Sequence, residues 1–85
     1  MKDNYINYKT SDFSIICLLR FFQVGMKNFF WEENRCWFEF QNIPRCKEIV
    51  DDYFKEILII ENIKKFIEIQ KGTKQFISNS KNNDK

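Results

Sequence analysis

Two aromatic-rich runs separated by only two residues constrain this chain more than any other feature. Lys27 to Glu32 and Arg35 to Gln41 flank the dipeptide Glu33-Asn34, and strand-like runs joined by a two-residue connection predict an antiparallel hairpin. Such a turn also sets the register. Glu32 then faces Arg35, Trp31 faces Cys36, Phe30 faces Trp37 and Phe29 faces Phe38. Strand side chains alternate between faces, so one face carries Phe29, Trp31, Cys36, Phe38 and Phe40. The other carries Phe30 and Trp37, bordered by Glu32, Arg35 and Glu39.

The segments around the hairpin have helical spacing. Ile15, Leu18, Leu19 and Phe22 fall at i, i+3, i+4 and i+7, one buried stripe. Phe13, Ile16, Cys17 and Phe21 widen it, which predicts a central first helix, capped by Thr10 or Ser11 with Asp12 in the first turn, and stopped by Gly25. A second helix begins near Pro44, with Cys46, Ile49, Val50, Tyr53 and Phe54 inward. Ile57-Leu58-Ile59-Ile60 is too short for a helix of its own and reads as a brief third strand or an extended crossing. A third helix takes Ile63, Phe66, Ile67, Ile69, Phe76 and Ile77 inward. Gly72 interrupts it at a cost of about 1 kcal/mol relative to Ala, marking a bend or an end.

The expected fold is therefore a small single α+β domain over residues 10–77: helix, antiparallel β-hairpin, helix, short extended segment, helix. The Phe29/Phe38 face of the hairpin should pack on the first two helices. Residues 1–9 form an N-terminal arm whose Tyr5, Ile6 and Tyr8 can pack back onto the domain. Residues 78–85 are polar, with nothing to bury, and read as a disordered tail.

Composition bounds the setting. The 85 residues include ten Phe, three Tyr and two Trp, enough aromatic volume to fill a small core. Ile, Lys, Asn and Phe dominate while Ala and His are absent, the coding bias of a low-GC genome and its phages. No run approaches the roughly 20 apolar residues of a membrane span, and the first residues lack a signal-peptide pattern. Three cysteines (Cys17, Cys36 and Cys46) do not make a disulfide framework; reduced core thiols and a cytoplasmic location are expected.

The order Tyr8-Lys9-Thr10-Ser11-Asp12-Phe13, an apolar helix, Phe38-x-Phe40, then Glu48-Ile49-Val50-Asp51-Asp52-Tyr53-Phe54 and a Lys-bearing last helix resembles a known family. Its members are short uncharacterised proteins, a domain of unknown function, from low-GC Gram-positive bacteria and their phages. The resemblance covers about residues 8–77; it bears on the fold, says almost nothing of activity and offers no catalytic residues to carry over. This chain departs from the pattern at Ile15, Ile16 and Cys17, where the family tends to place small residues. It departs again at Lys55-Glu56, where a Gly tends to follow the position of Phe54.

The residues argue against catalysis. Without His the usual general base near neutral pH is missing. Adjacent helical carboxylates such as Asp51 and Asp52 point about 100° apart. The cysteines have no His partner, their spacing does not suit zinc, and no Gly-rich phosphate loop is present. A non-enzyme without cofactor or metal is expected.

Three surfaces could bind. Phe30, Trp37 and Arg35 form an aromatic patch if the outer hairpin face is open; if the third helix or the arm covers that face, the same pair is a second core. Both readings stand at this point. Lys64, Lys65, Lys71, Lys74 and Lys81 form a basic stretch in the C-terminal quarter, suited to phosphates or simply a solvated face. Glu48, Asp52 and Glu56, at i, i+4 and i+8, form an acidic stripe of like charges suited to a basic groove on a defence nuclease. The net charge of +2 is too near neutral for a committed nucleic-acid binder. The preferred function is thus stoichiometric binding to a host or phage protein, such as a component of a bacterial defence system. The alternative is a nucleic-acid-binding accessory protein. A homodimer fits either, because pairing would extend a two-stranded sheet.

Overall fold

The computed structural model describes residues 7–83, and in chain order it shows β1 (Tyr8–Thr10), α1 (Phe13–Phe21), β2 (Met26–Glu32), β3 (Arg35–Phe40), α2 (Ile43–Phe54) and α3 (Ile63–Asn83). The fold is α+β: a three-stranded antiparallel sheet in the order β1-β3-β2, with three helices. The hairpin has the register its two-residue turn dictates, from Glu32 opposite Arg35 to Phe29 opposite Phe38. Glu33 and Asn34 both adopt left-handed backbone, φ 53° and 66°, the geometry of the type I′ turn whose twist matches the strands. Lys27 is the extra residue of a bulge between Met26 and Asn28.

The third strand is not the Ile57–Ile60 segment but Tyr8–Thr10, part of the expected arm. It pairs along the free edge of β3, Tyr8 opposite Phe40 and Thr10 opposite Phe38. A three-residue strand shows too little alternation to be read from sequence; the open edge of β3 recruits it. Tyr5 and Ile6 lie outside the described residues.

Thr10, fixed in β1, does not cap α1. Asp12 does, its Oδ1 accepting from the Ile15 N–H at 3.1 Å, and Thr10 Oγ1 in turn accepts from the Asp12 N–H. Five consecutive residues, Ile15 to Leu19, are buried, so α1 is enclosed as its broad apolar stripe predicts. It stops before Gly25. Gln23 takes the left-handed position, φ 62°, and the Val24 N–H reaches back to the Leu19 carbonyl at 3.0 Å, closing a Schellman turn with no glycine in it.

In α2, Asn42 caps and Pro44 sits in the first turn. Cys46 and Ile49 are buried and Val50 half-buried, but Tyr53 and Phe54 emerge from the core. The helix α3 runs unbroken through Gly72, and residues 78–83, expected as tail, are its last turns. The reason is contact with the sheet. Phe76 lies 4.8 Å from Phe29 and 5.8 Å from Phe38 between ring centroids, and Trp31 Nε1 donates to Ser80 Oγ at 2.9 Å. The inner face of β2 therefore rests on α3, while Ile15, Leu19, Cys46 and Ile49 complete the same core around Phe38 and Phe40. Ile63 and Ile67, expected inward, are exposed. Thr73 takes a core position instead, fully buried, with Oγ1 accepting from Arg20 Nη1 at 3.0 Å.

Candidate protein-binding surfaces

The sheet's inner side holds the helices, and its outer side carries Phe30 and Trp37. They are cross-strand partners, both half-buried. Lys9 of β1 stands opposite Glu39, and its Nζ lies 5.6 Å from the Phe30 ring and 5.5 Å from the Trp37 ring. That is a cation–π cap on each ring. Covering by the third helix does not occur, because α3 packs on the opposite face through Phe76 and Ser80. The rim is charged: Glu32 and Arg35 are exposed and Glu39 half-exposed. Arg35 is held in place, Nη1 donating to Ser11 Oγ at 3.1 Å. Sequence reasoning found the aromatic pair but not Lys9, since nothing local signals that β1 joins this sheet.

The acidic stripe does not form a single line. Glu48 is paired with Arg45 at 2.9 Å, and neighbouring Asp51 with Lys55 at 3.0 Å. Asp52 is half-exposed. Glu56 has left the helix altogether: α2 ends at Phe54, and Glu56 occupies the left-handed position after it, φ 62°. The basic residues Lys64, Lys65, Lys71 and Lys74 are exposed along α3. Lys81, also exposed, places Nζ 5.7 Å from the Trp31 ring, where it covers the sheet edge.

A second surface was not singled out from the sequence. Around the α2–α3 connection, Phe54 is 67% exposed, Ile57 and Ile63 60% each and Ile59 71%, with Tyr53 and Ile67 less so. Beside them a groove of about 450 Å³ has Ser14 and Leu18 on α1 in its lining, together with Tyr53, Leu58, Ile60 and Phe66. Ile57–Ile60 alternates, outward at 57 and 59 and half-buried at 58 and 60, a pattern that four apolar residues in a row do not show in sequence. The shortness of the run identified an extended segment; that it pairs with no strand among the described residues comes only from the tertiary fold.

All three cysteines are buried and free. Burial pushes each thiol above its ordinary value, an effect that Thr73 and Arg20 partly offset at Cys17 and Ser80 partly offsets at Cys36. Buried thiols with raised pKa are poor nucleophiles. Among the described residues no three His, Cys, Asp or Glu side chains converge as metal ligands, and no helix is long and apolar enough to cross a membrane.

What the fold and its surfaces define is a small two-layer α+β domain whose distinctive chemistry is on its outside. Residues 5–82 match the family described as a domain of unknown function (DUF5659). The chain belongs to that family. No curated protein and no solved structure matches it.

Proposed function

We propose that this chain is a non-catalytic binding module acting by stoichiometric protein–protein interaction through the outer face of its sheet. The observation that carries the reading is the Phe30–Trp37 pair on a face that no helix covers among the described residues, ringed by Lys9, Glu32, Arg35 and Glu39. Aromatics beside arginine are the residues most enriched at interaction hot spots. A surrounding belt of both charge signs suits a protein partner better than a polyanion. The lack of His and the buried thiols support a role without chemistry of its own. The finer reading is a phage or mobile-element protein directed at a bacterial defence system, and it rests on small size and low-GC coding bias. It uses the aromatic face rather than Glu48, Asp52 and Glu56, which do not share one helix face.

The test pairs folding with binding. A Phe30→Ser/Trp37→Ser variant should keep the wild-type circular dichroism spectrum and lose a host protein that the wild-type chain retains in near-equimolar amount. A Lys64→Ala/Lys71→Ala variant should keep it. The reading fails if Trp37→Ala alone unfolds a monomeric chain, since the ring would then be core. It also fails if nucleic acid binds, weakens by orders of magnitude between about 50 and about 200 mM salt, and depends on Lys64 and Lys71.

A further inference from the structure

The outer face of the sheet carries a charge pattern fixed by strand register. Lys9 on β1, Glu39 on β3 and Asn28 on β2 stand side by side in one row. Two residues along β3 come Trp37 and its partner Phe30, and two further on Arg35 and its partner Glu32. Strand residues two apart share a face, so an aromatic row lies in the middle with a polar row at each end. Lys27, exposed, adjoins Asn28 at the bulge, and Glu33, exposed, follows Glu32 at the opposite end. Ser11 and Asp12 carry the chain on from β1 toward Arg35, whose Nη1 donates to Ser11 Oγ at 3.1 Å. Lys9, Lys27 and Arg35 thus stand against Glu32, Glu33 and Glu39, and the face is balanced in sign.

One symmetry operation satisfies all of these charges together. A two-fold axis above the Trp37–Phe30 row, running across the strands, turns a second copy over onto the first and exchanges the two polar rows. Glu39 then meets Arg35 of the second copy, and Arg35 meets its Glu39. Asn28 meets Glu32, to which its amide can donate, and Lys27 meets Glu33. Lys9, its ammonium beside the rings, falls against Ser11 and Asp12, with Glu39 of its own row between it and the opposing Arg35. Trp37 and Phe30 stack on their own counterparts at the axis. No two like charges face each other, and a surface complementary to itself in this way is what an isologous contact requires. We infer that the partner of the outer face in the free protein is a second copy of this chain, packed sheet on sheet about that axis. Aligned sheets pack within about 30° of each other in protein cores, so the arrangement is an ordinary one. The contact is small beside the roughly 20–30 residues a side of a standard interface, which makes the dimer weak and reversible. This inference rests on the reading of the face as the contact surface, and adds that a host protein must compete with the second copy for Phe30 and Trp37.

Sedimentation equilibrium of the full chain, from micromolar to near-millimolar concentration, tests this. The wild-type chain should approach twice its 10.5 kDa mass. Arg35→Glu and Glu39→Arg should each raise the dissociation constant by about tenfold or more, since every dimer loses two ion pairs and gains two repulsions. Mixed together, the two variants should associate as the wild type does, and so should the Glu39→Arg/Arg35→Glu double variant. Should either charge variant not fold, Phe30→Ser/Trp37→Ser serves instead and should stay monomeric. A wild-type chain that is monomeric throughout overturns the inference, as does a dimer indifferent to the loss of both aromatics. Recovery in Arg35→Glu/Glu32→Arg in place of Glu39→Arg/Arg35→Glu overturns the axis, because Arg35 would then lie over the second copy's Glu32. The binding role is scored separately. A monomer that still retains a host protein overturns the dimer alone, and a dimer through this face that retains none overturns the binding role alone.

Discussion

Replacing Glu56 by glycine should stabilise this protein, and replacing its neighbour Lys55 should do the opposite. Glu56 follows α2 in left-handed backbone, φ 62°, while Lys55 has φ −82°. Its N–H bonds the Tyr53 carbonyl at 3.1 Å, and the Ile57 N–H bonds the Asp52 carbonyl at 3.0 Å. The turn that ends the helix therefore depends on that conformation. A side chain in the left-handed region costs about 1–2 kcal/mol from its Cβ. Glycine removes that cost but gives back roughly 0.5–1 kcal/mol through its freer unfolded chain. The net gain at Glu56 is about 0.75 kcal/mol at the middle of these ranges, or roughly 3–6 °C in melting temperature for a domain of this size. At Lys55 there is no strain to relieve, only helix propensity and the contact with Asp51 to lose, so the midpoint falls. Both variants are measured by thermal and urea unfolding followed through Trp31 and Trp37 fluorescence, at one fixed chain concentration. A Glu56→Gly variant no more stable than wild type would refute the reasoning, because something must then hold the glutamate side chain in compensation.

Three further outcomes follow from the packing. Gly72 is exposed within α3, and a Cβ there would meet nothing within 4 Å, so Gly72→Ala should gain about 1 kcal/mol in the same urea titration. Deleting residues 78–85 should destabilise the domain and change Trp31 fluorescence, because Ser80 accepts its indole N–H; Ser80→Ala alone should cost about 1 kcal/mol. Cys17, Cys36 and Cys46 should resist Ellman's reagent in the native state and react fully in denaturant. Burial holds these thiols protonated in the folded chain, so the unfolded chain loses its thiol protons first, near the ordinary value of 9.0. Their contribution to stability is thus complete below that pH and declines above it. A Cys17→Ser/Cys36→Ser/Cys46→Ser chain that still folds should show a shallower alkaline decline.

The sequence by itself determined the hairpin, its register and its two faces, because a two-residue turn and strict side-chain alternation leave one pairing that buries Phe38 and Phe40. It also determined that α1 is enclosed, since its apolar positions cover most of the helix circumference. Those are local signals, repeated over several turns or strand pairs. Only the tertiary structure decided the third strand, because Tyr8–Thr10 becomes a strand through the open edge of β3 rather than through its own pattern. Only the tertiary structure decided that α3 continues to Asn83, since Phe76 and Ser80 find partners on β2 that lie far away in sequence. The same holds at the surface. Phe30 and Trp37 were legible as a pair, but their Lys9 cap depends on β1 joining the edge of β3, and the absence of a helix over them, among the described residues, on the side of the sheet that α3 packs against. The isoleucines at 57, 59, 63 and 67 look like core in one dimension. Ile63 and Ile67 are outside because α3 turns Phe66, Thr73, Phe76 and Ile77 to the core, and Ile57 and Ile59 because their extended segment turns Leu58 and Ile60 inward.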